Sequence, residues 1–266
     1  MIYLILPIYN EEKSIRSLLE KIDSIMKKND LSYKILAVND GSSDATRMIL
    51  EGYSEKISLN IINHKYNRGL GETVRDGFEW IAEVSKPDDI IVRMDADDTH
   101  EPKYIPKMIE KINNGFDIAI ASRFQKGGGQ KGVSLYRSIM SIGANILMKI
   151  FFPIKGVRDY TCGFRAYRAE AIKNALYVFG NDFVELKGLG FTTTLEKLIK
   201  LKRLGAKIVE VPFELKYDQK LSQSRINSKI TILGYLILIL KGLYPWRWAK
   251  ITRGWLKKIE EVKNKK

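Results

Sequence analysis

Residues 2–8 read Ile-Tyr-Leu-Ile-Leu-Pro-Ile, and this short apolar run decides the class of fold. Further β-forming runs follow at 33–39, 59–63, 89–94 and 117–121, each separated from the last by a stretch long enough for a helix. Near-continuous apolar content suits strands that are buried on both faces. The alternation with helices predicts an α/β fold, a Rossmann-like and mainly parallel sheet flanked by helices.

The segments between the runs carry helical signals. Residues 11–28 place apolar side chains at helical spacing, and Asp44 has the form of an N-cap for a second helix. Later in the chain we predict a helix over 192–204 and a strand over 207–213. Ligands of such sheets bind outside the carboxyl ends of the strands, so the loops that follow the strands are the candidate functional loops.

Composition limits the classes of protein. A chain of 266 residues with 45% hydrophobic content has room for one sizeable domain and an appendage. Cys162 is the only cysteine, which excludes an internal disulfide and favours a cytosolic setting. The N-terminus lacks the basic segment and cleavage site of a signal peptide. The formal net charge of +14 predicts a polyanionic partner, which could be a nucleic acid, a membrane surface or a phosphorylated substrate.

The run Met-Asp-Ala-Asp-Asp at 94–98 follows an apolar strand. Asp95 and Asp97 are two residues apart, so they share a face where the strand reaches the ligand edge. Two such carboxylates repel each other unless a cation lies between them, and Mg²⁺ or Mn²⁺ prefers carboxylate and phosphate oxygens. We predict a metal that neutralises a departing diphosphate. The alternative is a solvated acidic turn.

Three more motifs follow strands at the same edge of the sheet. They are Pro-Ile-Tyr-Asn-Glu at 7–11, Asn-Asp-Gly-Ser-Ser-Asp-Ala-Thr at 39–46 and Asn-Arg-Gly-Leu-Gly at 67–71. With 94–98 they resemble, in order and spacing, the family 2 glycosyltransferases of GT-A fold over roughly residues 1–230. The resemblance is strongest to the branch of dolichyl-phosphate mannose synthases and polyprenyl-phosphate glycosyltransferases.

That resemblance implies a nucleoside-diphosphate sugar as donor, of GDP-mannose or UDP-glucose type, and an inverting transfer of a hexose. The donor-binding residues it implies are Pro7, Tyr9, Glu11, Asp40 and Asp95. Asp95 and Asp97 correspond to the metal-binding pair, with Asp97 also counted as catalytic. Thr99 stands where the mannose synthases tend to have Gln, so the third metal ligand is open between Thr99, Asp98 and water.

The second half of the chain carries the acceptor motifs. Residues 159–165 read Asp-Tyr-Thr-Cys-Gly-Phe-Arg and resemble a stretch of the same branch, as does Ser-Arg-Phe at 122–124. A lipid phosphate is already an anion and needs positive charge rather than a base. The candidate phosphate-binding residues are Arg123, Arg137, Arg225 and Lys229, with Arg123 also counted as catalytic. Asp159 is a candidate general base or positioning group, and a saccharide or other hydroxyl acceptor would need such a base.

We divide the chain into a catalytic domain at 1–228 and a basic, amphipathic helical tail at 229–266. Ile230 to Leu240 is almost wholly apolar, but as a helix it would rise only about 16 Å, roughly half of a ~30 Å hydrocarbon core. Trp246, Trp248 and Trp255 alternate with basic residues beyond it. We predict a peripheral anchor at the cytoplasmic membrane face, the alternative being a core helix followed by a basic tail.

Two rival classes have weaker support. The basic tail could suggest a nucleic-acid-binding module, but no zinc-finger, RNP or helix-turn-helix signature accompanies it, and we expect no nucleic-acid partner. Residues 127–132 fit the G-x-G-x-x-G spacing of a dinucleotide site, but they follow the fifth strand rather than the first. We interpret them as a loop near the acceptor. His64 and His100 are too isolated to predict a metal site. Oligomeric state is left open.

Overall fold

The computed structural model describes residues 1–222, 228–243 and 249–264. The strands are β1 Ile2–Ile8, β2 Tyr33–Asn39, β3 Leu59–Asn63, β4 Ile90–Arg93, β5 Ile118–Ser122, β6 Gly129–Lys131, β7 Arg165–Arg168, β8 Ile208–Pro212 and β9 Glu214–Lys216. The helices are α1 Ile15–Lys28, α2 Thr46–Ser54, α3 Leu70–Val84, α4 Ile105–Asn113, α5 Leu135–Phe151, α6 Ala169–Phe179, α7 Thr192–Arg203, α8 Ser228–Leu243 and α9 Ala249–Asn264.

Within the described residues, seven strands form one sheet in the order β3-β2-β1-β4-β7-β5-β8. Strand β1 lies inside it and pairs in parallel with both β2 and β4, with Ile5 opposite Leu36 and Arg93. The prediction of a mainly parallel α/β sheet is confirmed. Strand β7 was not predicted; it runs antiparallel between β4 and β5.

Strand β7 escaped prediction because it is short and has an arginine at each end. Arg165 is fully buried, and its guanidinium donates to the carbonyl oxygens of Cys162 at 2.9 Å and Thr194 at 2.8 Å, with Tyr160 accepting a third bond at 2.7 Å. A buried cation is tolerated when its donors are satisfied in this way. Two of these partners lie in the loop directly before the strand, and the third, Thr194, lies 29 residues away. A hydropathy pattern does not reveal such bonds.

The helices bury the faces that their spacing predicts. Helix α1 buries Ile15, Leu18, Leu19, Ile22 and Met26. It begins at Ile15 rather than at residue 11, after a turn in which the Ser14 amide donates to the Glu11 carbonyl. Helix α2 begins at Thr46 with Ala45 as its cap residue, and Asp44 accepts the Thr46 amide at 3.0 Å. Asp44 therefore satisfies a free helical amide without being the cap itself.

The segment at 127–132, predicted to be a loop, contains β6. This strand pairs in parallel with β9 in a separate two-stranded sheet. Gly132 has φ of +71°, and a Cβ there would lie 2.5 Å from the Asp218 amide nitrogen. Only glycine fits this crossing, so the glycines here bring two backbones together and do not open a helix as a dinucleotide-binding motif would.

The C-terminal helices pack on the rest of the chain. Helix α8 contacts α5 and α7, and a Cβ at Gly234 would lie 2.0 Å from Thr192 Oγ1. Helix α9 contacts α6, with Trp255 edge-on to Phe179 at 5.1 Å between ring centroids. None of the helices in the described ranges has the length and apolar content to cross a bilayer. Trp246 and Trp248 lie outside those ranges, and the domain division at residue 228 stays a prediction.

Candidate active site

One cavity of about 560 Å³ lies where the parallel strands β1, β2 and β4 end. Most of the predicted site residues line it, namely Pro7, Tyr9, Glu11, Asp40, Asp95, Asp97, Thr99, Arg123 and Arg137. They come from four different strand ends and from helix α5. The sheet therefore collects into one space side chains that are up to 130 residues apart in the chain.

Two of the predicted residues that the structure describes do not line the cavity. Asp159 is fully buried and does not line the cavity. Lys229 is exposed in the first turn of α8 and does not line it either. Arg225 lies outside the described residues.

Asp95 is held by a buried arginine from its own strand. Arg93, at the end of β4, is 4% exposed and places its Nη2 2.6 Å from Asp95 Oδ1. A Cβ at Gly163 would lie 1.8 Å from Arg93 Nη1, so glycine is needed for this guanidinium to fit. Burial would raise the pKa of Asp95, but the nearby positive groups, of which Arg93 has the largest effect, together outweigh it and the pKa lies below its ordinary value. Asp95 is therefore a fixed, ionised carboxylate.

His100 supports the same carboxylate from the other side. Its Nδ1 accepts the Asp95 amide at 3.0 Å, so Nε2 carries the proton and faces Asp95 Oδ2 at 3.6 Å. The ring stacks on Phe164 with centroids 5.2 Å apart. Burial lowers the pKa of His100 more than Asp95 raises it, and the imidazole stays neutral at pH 7. The imidazole is 4% exposed, so His100 is a packed structural residue of the cavity wall.

Asp97 is the second carboxylate of the pair, and its side chain is 15% exposed against 27% for Asp95. Its Oδ1 accepts from the Thr99 hydroxyl at 2.7 Å and from the Thr99 amide at 3.2 Å. Its Oδ2 forms an ion pair with Lys220, which also lines the cavity. The Asp97 carboxylate thus already attracts a cation in this structure.

The oxygen donors at this edge of the sheet are of the type that a hard divalent cation prefers. Asp95 and Asp97 supply carboxylate oxygens on one wall, and Thr99 adds a hydroxyl next to Asp97. In the part of the chain that the structure describes, no group of three or more His, Cys, Asp or Glu side chains forms a complete metal-binding set. Such a two-carboxylate site leaves coordination positions to substrate phosphate and water, as Mg²⁺ sites commonly do.

Glu11 lies near Asp97, in the turn before α1. Its Oε2 accepts from the Ser14 hydroxyl at 2.8 Å and its Oε1 accepts from the Ser222 hydroxyl at 3.0 Å. Burial raises the pKa of Glu11 above its ordinary value despite these bonds. The second bond crosses more than two hundred residues and ties the segment after β9 to the first loop.

Asp40 organises the loop after β3. Its Oδ1 accepts the Arg68 amide at 2.9 Å and its Oδ2 accepts the Gly69 amide at 2.8 Å. His64 Nδ1 lies 2.7 Å from Oδ1, and His64 Nε2 lies 3.1 Å from Asp76. Asp40 is only 3% exposed, so it fixes a cavity wall. Direct contact between Asp40 and a base or ribose stays a prediction.

We call the lining from the ends of β1, β2 and β4 the acidic wall. The lining from the end of β5, from helices α5 and α8 and from the loop before β7 is the basic wall, and Asp159 organises it. Arg123 Nε lies 2.8 Å from Asp159 Oδ2, and Arg123 Nη2 lies 2.8 Å from Oδ1. The Cys162 amide donates to the same carboxylate at 3.0 Å. Burial would raise the pKa of Asp159, but Arg123 outweighs it and the pKa lies below its ordinary value. Asp159 therefore aims Arg123 at the cavity, and its own oxygens have no free path to a substrate proton.

Further polar groups join this wall from α5 and α8. Arg137 hydrogen-bonds the Tyr217 hydroxyl and lies 5.1 Å from the centre of that ring. Ser141 Oγ is 3.3 Å from Thr161 Oγ1, and both line the cavity. Burial raises the pKa of Tyr235 to about 12, which keeps this phenol a neutral hydrogen-bonding group.

Sequence reasoning missed Ser141, Thr161, Tyr217, Lys220 and Tyr235 as lining residues. Thr161 lies inside a motif that was recognised, so its neighbours in that motif were a usable signal. Lys220 and Tyr217 belong to a segment without a regular pattern. Tyr235 lies in an apolar run that was interpreted by its hydropathy alone.

Comparisons with known proteins agree with this geometry. The family described as Glycosyl transferase family 2 matches residues 3–176. The chain is 37% identical over 243 residues to a dolichol-phosphate mannosyltransferase of Pyrococcus furiosus, which covers 91% of this chain and 63% of that relative. The chain thus spans less than two thirds of that protein.

A second relative is an undecaprenyl-phosphate mannosyltransferase of Micrococcus luteus, 30% identical over 227 residues, or 85% of this chain and 87% of that one. Among solved structures, glucosyl-3-phosphoglycerate synthase from Mycobacterium tuberculosis, in complex with Mn²⁺, uridine diphosphate and phosphoglyceric acid, superposes with a TM-score of 0.60. It is 16% identical and covers 92% of this chain and 77% of its own, which shows the shared fold.

Proposed function

Because the chain belongs to glycosyl transferase family 2, we propose that it moves a hexose from a nucleoside-diphosphate sugar to a polyprenyl or dolichyl phosphate. The transfer is metal-dependent and inverts the anomeric centre by direct displacement. The names of the archaeal and bacterial relatives, which specify dolichol phosphate and undecaprenyl phosphate, support this acceptor class.

The observation that carries the proposal is that one cavity gathers groups of both charges. Asp95 and Asp97 belong to the acidic wall, and Arg123 and Arg137 belong to the basic wall. The carboxylates of the acidic wall would hold a divalent cation, which would neutralise a donor diphosphate. An anionic acceptor suits the basic wall, where fixed guanidinium groups hold and orient it without a further rearrangement. The reacting oxygen and the sugar would meet between the two walls.

The state of Asp159 favours a phosphate acceptor over a hydroxyl acceptor. A sugar hydroxyl must lose its proton as it attacks, and a general base must reach that proton. Asp159 is fully buried, is bound to Arg123 through both oxygens, and has a lowered pKa. It is a poor base in this state. A lipid phosphate is already ionised and needs only the arginine that Asp159 positions.

The donor half of the proposal uses the residues at the strand ends. Asp95 and Asp97, with Thr99 beside them, would hold Mg²⁺ or Mn²⁺, which supplies Lewis-acid neutralisation of the departing diphosphate when bound. Pro7, Tyr9, Glu11 and Asp40 form the adjoining wall, where the nucleoside would lie. Asp95 stays ionised because Arg93 is next to it, so it can meet the donor in its charged form.

An apolar surface beside the cavity supports action at a membrane. We define the α5/α8 face by large side chains that are 45–77% exposed: Leu135, Ile139, Ile142, Ile146 and Ile150 of α5, and Leu233, Leu236 and Leu240 of α8. The α5 members recur every three or four residues, which makes one stripe along that helix. A patch of this kind marks an interaction site in a soluble domain.

The α5/α8 face adjoins the acceptor wall because the same two helices supply Arg137, Ser141, Thr231 and Tyr235 to the cavity. A bilayer that received this face at its interface would bring lipid phosphates to the level of the cavity mouth. We therefore assign membrane contact to α5 and α8 more than to α9, whose Trp255 and Val262 pack inward. The protein would act peripherally, at the cytoplasmic face, where nucleotide sugars are present.

The direct test is transfer of radiolabelled sugar from a panel of GDP- and UDP-sugars to dolichyl and undecaprenyl phosphate, with Mg²⁺ or Mn²⁺ and with EDTA as control. We expect metal-dependent labelling of the lipid. Donor hydrolysis without lipid labelling would contradict the acceptor assignment and support a hydroxyl acceptor. Equal lipid labelling in EDTA would contradict the metal assignment alone.

A further inference from the structure

Each carboxylate of the proposed metal pair carries a cationic partner from this chain, but the two partners differ in mobility. Arg93 belongs to a strand inside the sheet, is 4% exposed, and is confined between Asp95 and Gly163. Lys220 lies beyond the last strand and reaches Asp97 with a long, flexible side chain. Arg93 cannot leave Asp95 without disturbing the core, whereas Lys220 can leave Asp97.

Side-chain contacts hold the segment around Lys220 against the cavity. We call residues 217–222 the crossing segment. Tyr217 hydrogen-bonds Arg137 on the basic wall, Lys220 pairs with Asp97, and Ser222 donates to Glu11. Before it, the Lys216 amide donates to the Thr99 carbonyl at 3.2 Å, which fixes where the segment starts. Each of the three side-chain contacts ends on a residue that lines the cavity.

We propose that Lys220 occupies the cation position of Asp97 in the ligand-free protein, and that a divalent cation binds by exchanging with the Lys220 ammonium and loosening the crossing segment. This inference rests on the proposed metal site. Asp97 Oδ1 is engaged by Thr99, so Oδ2, the oxygen that Lys220 holds, is the one left for a metal. An ammonium and a dication on the same oxygen repel each other, and one must leave.

The exchange gives each of the two carboxylates a positive partner before any metal is bound. Arg93 neutralises one charge permanently, and Lys220 neutralises the other until the cation arrives. Because Ser222 and Tyr217 lie on the same segment, release of Lys220 would weaken their bonds to Glu11 and Arg137. Cation binding would in this way free one residue on each wall for donor and acceptor.

The test is a comparison of Mn²⁺ binding to the full chain and to two lysine variants, measured by the electron paramagnetic resonance signal of free Mn²⁺ without nucleotide. Lys220→Met removes the competing ammonium. Lys216→Met is the matched control, because Lys216 pairs at 2.7 Å with Glu101, which does not line the cavity. We expect Lys220→Met to bind Mn²⁺ roughly 5- to 10-fold more tightly, a factor in the range of a partly buried ion pair. Lys216→Met should match the wild type.

Equal or weaker Mn²⁺ binding by Lys220→Met would overturn the exchange, and weaker binding would show that Lys220 assists the cation. A second readout is amide hydrogen exchange of residues 217–222 in the wild type, which should become several-fold faster on addition of Mn²⁺. Unchanged or slower exchange would also overturn it. If neither the wild type nor Lys220→Met bound Mn²⁺, the inference would fail. Lipid labelling in EDTA would show separately whether the proposed sugar transfer takes place without a metal.

Discussion

The two walls of the cavity are built in different ways. The acidic wall comes from the ends of adjacent parallel strands, and its side chains stand directly after apolar runs in the sequence. The basic wall is assembled from the end of β5, from helices α5 and α8, and from the loop before β7. Its main cation, Arg123, depends on a buried partner, Asp159, 36 residues away. Substitutions in the acidic wall should therefore lower activity without lowering stability, whereas substitutions in the basic wall should lower both.

Asp97→Ala tests the acidic wall and should have the largest effect. We expect sugar transfer to fall by at least about 100-fold, because a Lewis-acid site contributes several kcal/mol to transition-state stabilisation. The melting temperature should change little, since Asp97 faces the cavity.

The matched control is Asp98→Asn, one residue further on. Asp98 is buried, pairs with Lys21 at 2.6 Å, and has φ of +62°, which asparagine tolerates. Asp98, one alternative for the third metal ligand, does not line the cavity, so Asp98→Asn should retain most of its activity while losing some stability. Full transfer by Asp97→Ala would remove the metal assignment.

Arg123→Ala tests the basic wall and should lower both activity and stability. It leaves Asp159 charged and unpaired in the interior, which costs about 3–5 kcal/mol of unfolding free energy. Transfer to the lipid phosphate should also fall, by about 10- to 100-fold, through loss of a charge-assisted contact.

The double variant Arg123→Met with Asp159→Asn separates the two effects. It removes both charges of the buried pair and keeps an oxygen that accepts the Cys162 amide, so denaturant unfolding should show most of the stability restored. Transfer should stay low. Recovery of transfer together with stability would mean that Arg123 serves only the fold.

Charged substitutions on the α5/α8 face test where the membrane lies. We expect Ile142→Glu with Ile146→Glu to weaken sedimentation with anionic liposomes by about 10-fold or more, because two exposed apolar groups are lost and two negative charges are gained. Leu256→Glu is the control, since Leu256 is 57% exposed on α9. A greater loss of liposome binding in Leu256→Glu would instead support the C-terminal anchor that the sequence predicts.

The pH dependence of stability should be the smallest effect, and it tests whether Asp159 is ionised in the folded protein. Its folded pKa lies below the ordinary aspartate value of about 3.9, so its ion pair contributes stability above that pH. The contribution is lost as the pH falls through the lower folded pKa. The unfolding free energy of the wild type should exceed that of Asp159→Asn at pH 7, and the difference should shrink below about pH 4. A constant difference from pH 7 to pH 3 would contradict an ionised Asp159.

The sequence also predicts the two walls unequally well. The strands β1 to β5 and β8 could be located because each is a local apolar run, with boundaries shifted by a residue or so. Strand β7 could not, since it is short and its buried Arg165 is satisfied by carbonyl groups that a hydropathy pattern does not reveal. On the acidic wall the lining residues were predictable from their position after strands. Lys220 was not, because its importance comes only from its contact with Asp97.

The sequence by itself determined the order of strands and helices, the family, and the identity of the residues at the ligand edge. These are local properties, since apolar periodicity and motif spacing act over a few residues. Tertiary structure alone decided that Arg93 fixes Asp95, that Asp159 is a buried partner of Arg123, and that Lys220 lies on Asp97. Charge pairs across 2 to 123 residues depend on which side chains burial brings within a few ångströms. Folding of the chain sets these distances, and it thereby decides which charged groups of the site are paired.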